Sequence, residues 1–216
     1  MKFPERDDDG FGPEEAREAA GVSRETLERV QGFLAILDEW RQRINLIGPG
    51  EGKHLWRRHV LDSLQLASLV PASAKTLADL GTGGGFPGVI LACALHDQGV
   101  SVSLVEKSVR KAEFLEDAVR RLGLKAVVYN QRIEEDSPVK SDVVTARALA
   151  PLPKLAAMVS GWLAPGGLAL LLKGREVDKE MIHTRETWTF DLQTRPSLSG
   201  PDGQILMISS LTKRAT

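Results

Sequence analysis

Residues 77–88 read LADLGTGGGFPG. Four glycines fall within residues 81–85, directly after a short apolar run that reads as a strand. Glycine loses more freedom on folding than any other residue, so such density marks a place where bare backbone must approach something closely. A glycine-rich turn between a first strand and a helix is the ligand corner of a doubly wound α/β sheet.

The rest of the chain fits that reading. Short apolar runs at TLADL (76–80), VSVSLVE (100–106), AVVYN (126–130), DVVTAR (142–147), LALLLK (168–173), WTFDLQ (188–193) and QILMISSL (204–211) predict strands. Helical patterns fit 87–95, 108–122, 152–163 and 176–186. This alternation predicts a mainly parallel seven-stranded sheet with helices on both faces. No long helix separates the last two strands, so they predict an antiparallel hairpin at the sheet edge, through SGPDG at 199–203.

Upstream, Ser23 is a good N-cap, and Leu27, Val30, Leu34, Leu37 and Trp40 recur at helical spacing, predicting a helix to about Ile44. A second amphipathic helix is expected over His54–Leu69, closed by Pro71. Residues 1–22 are rich in charge, Gly and Pro and read as a loose arm. The expected organisation is an arm at 1–22, a helical cover at 23–72 and a core at 73–216, with cover and core forming one compact unit.

Composition narrows the class. No apolar run reaches the length of a membrane span, and the polar, acidic start MKFPERDDDGFGPEE does not read as a signal peptide. Cys93 is the only cysteine, so no intrachain disulfide forms, which suits a reducing cytoplasm, and its setting in VILACAL predicts a buried, inert thiol. A net charge of −1 argues against a sequence-blind nucleic-acid binder, though not against a local basic face.

The glycine loop admits two registers. Gly83, Gly85 and Gly88 satisfy G-x-G-x-x-G, which suits a dinucleotide and a nicotinamide-dependent oxidoreductase. Asp79, Gly81, Gly83 and Gly85 satisfy D-x-G-x-G-x-G, which suits S-adenosylmethionine. Asp79 would repel a pyrophosphate but attract a sulfonium and an α-ammonium group; its structural alternative is to satisfy loop amides. Glu106, at the end of the second strand, suits two ribose hydroxyls, which both cofactors carry. No Lys-Ser/Thr pair follows the glycines, which excludes a P-loop. A module that binds the cofactor without catalysis is a third reading, separated from the enzymes by methyl turnover.

Several blocks resemble one family. NLIGPGEGKHLWRRHVLDSLQL (45–66), LADLGTGGGFPGVILA (77–92), SLVEKSVRKAEFLEDAVRRLGL (103–124), DVVTARALAPL (142–152) and LLLKG (170–174) are similar to segments of the RsmG (GidB) proteins, bacterial methyltransferases of small-subunit ribosomal RNA. The resemblance implies a Rossmann-type class I methyltransferase fold, with S-adenosylmethionine as cofactor. It implies formation of 7-methylguanosine in the 530 loop of 16S ribosomal RNA; a different acceptor is the nearest alternative. It carries cofactor contacts onto Gly81, Phe86, Ile133, Glu134 and Arg147. The partner it implies is 16S ribosomal RNA or the small subunit, with no membrane, and the chain is expected to be a monomer.

Chemistry adds constraints. Guanine N7 presents a lone pair and carries no proton, so its methylation needs no general base. No acid/base residue and no metal site are assigned; His59 reads as a capping or packing residue. Arg147 ends the fourth strand, where an unpaired guanidinium is expensive. It is expected to meet the guanine six-oxygen, the cofactor carboxylate, or an acid such as Asp142. Lys53, Arg57 and Arg58, with Trp56 and His59 among them, and Arg41 and Arg43 from the preceding helix, form a candidate basic lip for the RNA backbone. Ion pairs with nearby acids are the alternative for that cluster.

Overall fold

The computed structural model describes residues 3–48, 50–135, 137–174 and 177–214. Its centre is a seven-stranded sheet in the order β3-β2-β1-β4-β5-β7-β6. The strands are β1 (Thr76–Leu80), β2 (Ser101–Val105), β3 (Ala126–Tyr129), β4 (Ser141–Arg147), β5 (Leu163–Lys173), β6 (Trp188–Pro196) and β7 (Gln204–Lys213). The first five run parallel, and β7 pairs antiparallel with both β5 and β6. The expected edge hairpin is therefore present, folded so that β7 lies inside β6.

Two-residue periodicity sends alternate side chains of each central strand to opposite faces. Leu77, Val143 and Leu170 join one core with Phe33, Leu91 and Phe114. Ala78, Val144 and Leu171 join a second core with Leu155, Val159 and Trp162. The first core packs under α2 (Arg24–Trp40), α4 (Gly88–Ala94) and α5 (Val109–Leu122); the second lies under α6 (Leu152–Trp162) and α7 (Val177–Thr187). The same alternation places Asp79, Thr145 and Arg147 on the first face. β1 is the switch point, because the chain winds outward through β2 and β3 and returns on its other side as β4. The loops after β1 and β4 thus flank the crevice where such sheets bind ligands.

The N-terminal expectations need two corrections. Residues 3–22 are not a loose arm. Pro13–Ala20 is a helix, α1, whose Ala16 is fully buried, and Gly12 donates to the Glu15 carboxylate at 3.1 Å. Asp7 is buried and accepts from the Trp56 and Arg57 amides at 3.0 and 2.8 Å, which ties the segment to the cover. High charge reads as disorder only when the charges have no partners, and here they have them.

The expected helix over His54–Leu69 is also broken. It comprises a 3₁₀ turn (Glu51–His54), a π turn (Trp56–Leu61), a short α turn, α3 (Asp62–Leu64), and a 3₁₀ turn (Ala67–Leu69). Asp7 caps the π turn from outside, and the widened turn directs His59 inward and the Arg58 carbonyl toward Arg147. Ser23 caps α2 as expected, accepting from Thr26 at 3.2 Å, and α2 ends at Trp40 rather than Ile44.

Candidate active site

Asp79 stands at the end of β1 with no exposure to solvent. Its Oδ2 accepts the Gly88 amide at 3.0 Å, and its Oδ1 accepts the Thr145 hydroxyl at 2.7 Å from the paired position of β4. The acid fastens β1 and β4 to the start of α4. Both of its carboxylate oxygens are engaged within the fold, the arrangement that the structural alternative describes. Both polar partners favour its charged form, but burial outweighs them and pushes its pKa up to about 6. Folding therefore tightens its proton. Its contribution is most favourable below 3.8 and declines as pH rises to about 6. Urea titrations of wild type and Asp79→Asn at several pH values test this. The wild type should lose about 2 kcal/mol relative to the variant between pH 4 and 7; parallel pH profiles would contradict it.

The glycines divide by what lies beside them. A Cβ on Gly84 would sit 2.4 Å from the Leu46 carbonyl oxygen, and one on Gly85 would sit 2.4 Å from the Phe33 ring. Those two are bare so that the cover can seat on the loop. Gly81 has φ +71°, and a Cβ there would meet Leu149 at 2.7 Å and Ile133 at 3.7 Å. Beside Gly83 the nearest atom is the Gly81 carbonyl at 3.7 Å. Gly81 is therefore bare beneath the Leu149 side chain, with Ile133 beside it, while the space next to Gly83 is open. The Ile133 carbonyl accepts from Trp162 Nε1 at 3.0 Å, which fixes its backbone. Leu149 escaped sequence reading because its apolar neighbourhood, ARALAPL, gave it no distinguishing mark.

Glu106 faces the same loop. Its Oε2 accepts the Gly83 amide at 3.0 Å and its Oε1 the Ser108 amide at 2.8 Å. Glu134 is exposed beside Ile133 and lies 3.9 Å from Arg132.

On the β4 side, Arg147 donates to the Arg58 carbonyl at 3.0 Å and to His59 Nδ1 at 2.9 Å. It lies 3.9 Å from Asp62 Oδ2 and 5.5 Å from the Phe86 ring centre. Asp142 is not its partner: that carboxylate accepts from Lys75 and Thr76 at the other end of the strand. A guanidinium only donates, so His59 Nδ1 is the acceptor and the ring proton is on Nε2. Nε2 lies 3.2 Å from Glu51 but is not aligned to donate to it. Burial, reinforced by the Arg147 charge, lowers the His59 pKa to about 4. The imidazole is neutral at pH 7 and its lone pair is committed to Arg147. It packs 5.1 Å from Phe86, bearing out a packing role and adding an anchoring one.

The expected basic lip is largely neutralised. Arg57 pairs with Asp9 at 2.9 Å, Arg58 with Glu51 at 3.2 Å, and Lys53 lies 3.8 Å from Asp8. Arg41 pairs with Asp38 and stacks 4.0 Å above Phe3. Sequence reading missed a second basic surface. Arg41 and Arg43 line a cleft of about 450 Å³ with Ser108, Arg110 and Lys111 from the start of α5. Among the described residues, Arg43, Arg110 and Lys111 form no ion pair, and the first turn of α5 carries no acid. The signal was present in KSVRK at 107–111, immediately after Glu106.

A glycine loop over the switch point, an acid ending β2 and an apolar wall after β3 belong to the Rossmann-type methyltransferase fold. The structure is similar to an O-methyltransferase from Bacillus cereus in complex with SAH, with TM-score 0.54, 15% identity, and coverage of 85% of this chain and 91% of that one. It is also similar to a SAM-dependent O-methyltransferase from Thermotoga maritima, with TM-score 0.56, 16% identity, and coverage of 84% and 73%. The family model for rRNA small subunit methyltransferase G, GidB, matches residues 26–206, and the chain belongs to that family. The ribosomal RNA small subunit methyltransferase G of Paramagnetospirillum magneticum is 43% identical over 94% of this chain and 98% of its own. That of Parvibaculum lavamentivorans is 43% identical over 88% and 85%.

Proposed function

We propose that the chain methylates N7 of a guanine in the 530 loop of 16S ribosomal RNA, using S-adenosylmethionine. Methylation of small-subunit ribosomal RNA follows from the family; the nucleotide and the atom are the proposal. The observation that carries it is the anchored Arg147, a polar donor held at the end of β4 between the cofactor crevice and a second pocket. The family displaces the dinucleotide reading of the loop.

The residues present fit the cofactor. Gly83 leaves open space beside the loop, Ile133 and Leu149 offer an apolar face for an adenine, and the Glu106 carboxylate suits ribose hydroxyls. S-adenosylmethionine, when bound, supplies an electrophilic methyl group on a charged sulfur. Glu106 and the glycine loop would hold the nucleoside, and Glu134 would meet the adenine edge. Arg147 donates to the guanine six-oxygen and leaves N7 unobstructed. Its two anchors matter because transfer needs the reacting atoms aligned at about 3–3.5 Å. Phe86, itself buried, backs the guanidinium. No proton has to move, in keeping with a histidine whose lone pair is engaged.

Residues 23–72 act as a cover on the 73–216 core, and the chain works as a monomer in the cytoplasm. No helix among the described residues is long and apolar enough to cross a membrane. The RNA backbone lies along the cleft of Arg41, Arg43, Arg110 and Lys111, with Lys53, Arg57 and Arg58 at its margin. Replacing Arg110 and Lys111 together by alanine should reduce the slope of log affinity against log salt by about 1.5. Replacing Lys53 and Arg57 should reduce it by less than half as much, because Asp8 and Asp9 already face them. Anisotropy titrations of a labelled 16S fragment across salt give both slopes, and the reverse order would sink this assignment. The function itself is tested by incubating the chain with methyl-labelled S-adenosylmethionine and small subunits from cells lacking the modification. Label should enter 16S RNA; label confined to protein would reject it.

A further inference from the structure

A pocket of about 240 Å³ opens beyond Arg147, between the cover and the β6–β7 turn. Asp62 forms its wall on the cover side. Oδ1 of Asp62 accepts three hydrogen bonds, from Gln65 Nε2 at 2.9 Å, Ser197 Oγ at 2.9 Å and Ser199 Oγ at 2.7 Å. Gln65 in turn accepts the Leu198 amide at 2.8 Å, so the side chain is clamped between two elements. Oδ2 accepts no hydrogen bond among the described residues, and Arg147 Nη1 is 3.9 Å from it. Three donors on one oxygen and none on the other is an unequal load for a carboxylate with little exposure. Lys173, on the same pocket, is engaged by Glu180 at 2.6 Å and the Ala150 carbonyl at 3.2 Å.

The pocket therefore offers a negative acceptor, Oδ2, beside a positive donor, Arg147. Two of the five guanidinium N–H groups are spent on Arg58 and His59, leaving three. A matching ligand presents donors and then an acceptor along one edge. Guanine does so: N2–H and N1–H, then O6, with N7 next in order. Adenine puts a bare N1 lone pair where Oδ2 stands. Uracil offers one N–H between two carbonyls and has no N7.

We infer that Asp62 is the base-specificity residue of this site, its Oδ2 accepting from N1–H and N2–H of the target guanine while Arg147 donates to O6. The inference rests on the proposed function and deepens it. It assigns the 240 Å³ pocket to the acceptor base, removed from its stack and read on its Watson–Crick edge. With O6 on Arg147, N7 is the next edge atom along and is left for the methyl group.

Asp62→Asn is the discriminating variant. Its amide oxygen must occupy the Oδ1 position, because three donors converge there, so its NH₂ enters the pocket where an acceptor is needed. The substrates are small subunits reconstituted with 16S RNA carrying guanosine or inosine, which lacks only the 2-amino group, at the methylated nucleotide. Wild type should prefer guanosine by about tenfold in kcat/KM. Asp62→Asn should lose about a hundredfold on guanosine and treat the two substrates within about twofold, with cofactor affinity by calorimetry unchanged. The double variant Ser197→Ala, Ser199→Ala keeps the carboxylate and should keep the preference at a lower rate. A tenfold guanosine preference surviving in Asp62→Asn overturns the assignment, as does loss of its cofactor binding, which marks a general structural role. A wild-type chain that methylates neither substrate overturns the proposed function, and this inference falls with it.

Discussion

Replacing Arg147 by lysine should lower kcat for methyl transfer by about a hundredfold, the scale on which small misplacements cost rate. The charge survives the change, so a charge count predicts little. The geometry predicts much. Arg147 spans the Arg58 carbonyl and His59 Nδ1 while keeping donors for a ligand, and it lies 3.9 Å from Asp62. A lysine ammonium is a point charge and cannot hold two anchors and a base in one plane. Steady-state kinetics separate the roles. A kcat loss with cofactor affinity within about threefold places the guanidinium on the acceptor base, as proposed. A parallel loss of cofactor affinity would move it to the cofactor carboxylate, and a wild-type rate would remove it from the site.

Gly88→Ala should cost about 3 kcal/mol of folding stability, the upper range for overpacking a dense core. A Cβ there would lie 2.5 Å from Leu104, and 2.6 and 2.8 Å from Oδ2 and Cβ of Asp79. Asp79 cannot step aside without releasing Thr145 and the Gly88 amide, which leaves a buried carboxylate short of partners. Urea unfolding followed by tryptophan fluorescence measures the loss. A change below about 1 kcal/mol would mean that the strand–helix corner is looser than its contacts indicate.

Much of the fold was legible because the strands are short, apolar and separated by helices of clear period. All seven predicted strands and the four core helices are present within a few residues, except that Leu163–Lys173 begins five residues before its predicted start. The two N-terminal errors share one physical cause. Asp7, Asp8 and Asp9 read as solvated charge, yet they cap and pair with residues some fifty positions away. Those long-range pairings order the arm and, with it, break the regular helix at 54–69. The proposed cofactor half of the site was legible where its residues end strands. Gly81 and Glu106 follow from the rule that ligands sit at carboxyl ends, whereas Ile133, four residues past β3, and the cofactor contact of Arg147 came only from the family resemblance. The inferred acceptor half was not. Asp62 lies inside what read as an amphipathic helix, and its partners Ser197 and Ser199 come from a distant turn. Asp79 was placed correctly, but its role depends on Thr145, visible only once β1 and β4 pair.

The most direct test of the central claim is the position of the transferred methyl group. Undermethylated small subunits are treated with the full chain and isotopically labelled S-adenosylmethionine, and the 16S RNA is digested and sequenced by mass spectrometry. The account predicts one labelled 7-methylguanosine, in the 530 loop. Label on another atom, or on a nucleotide outside that loop, would contradict it.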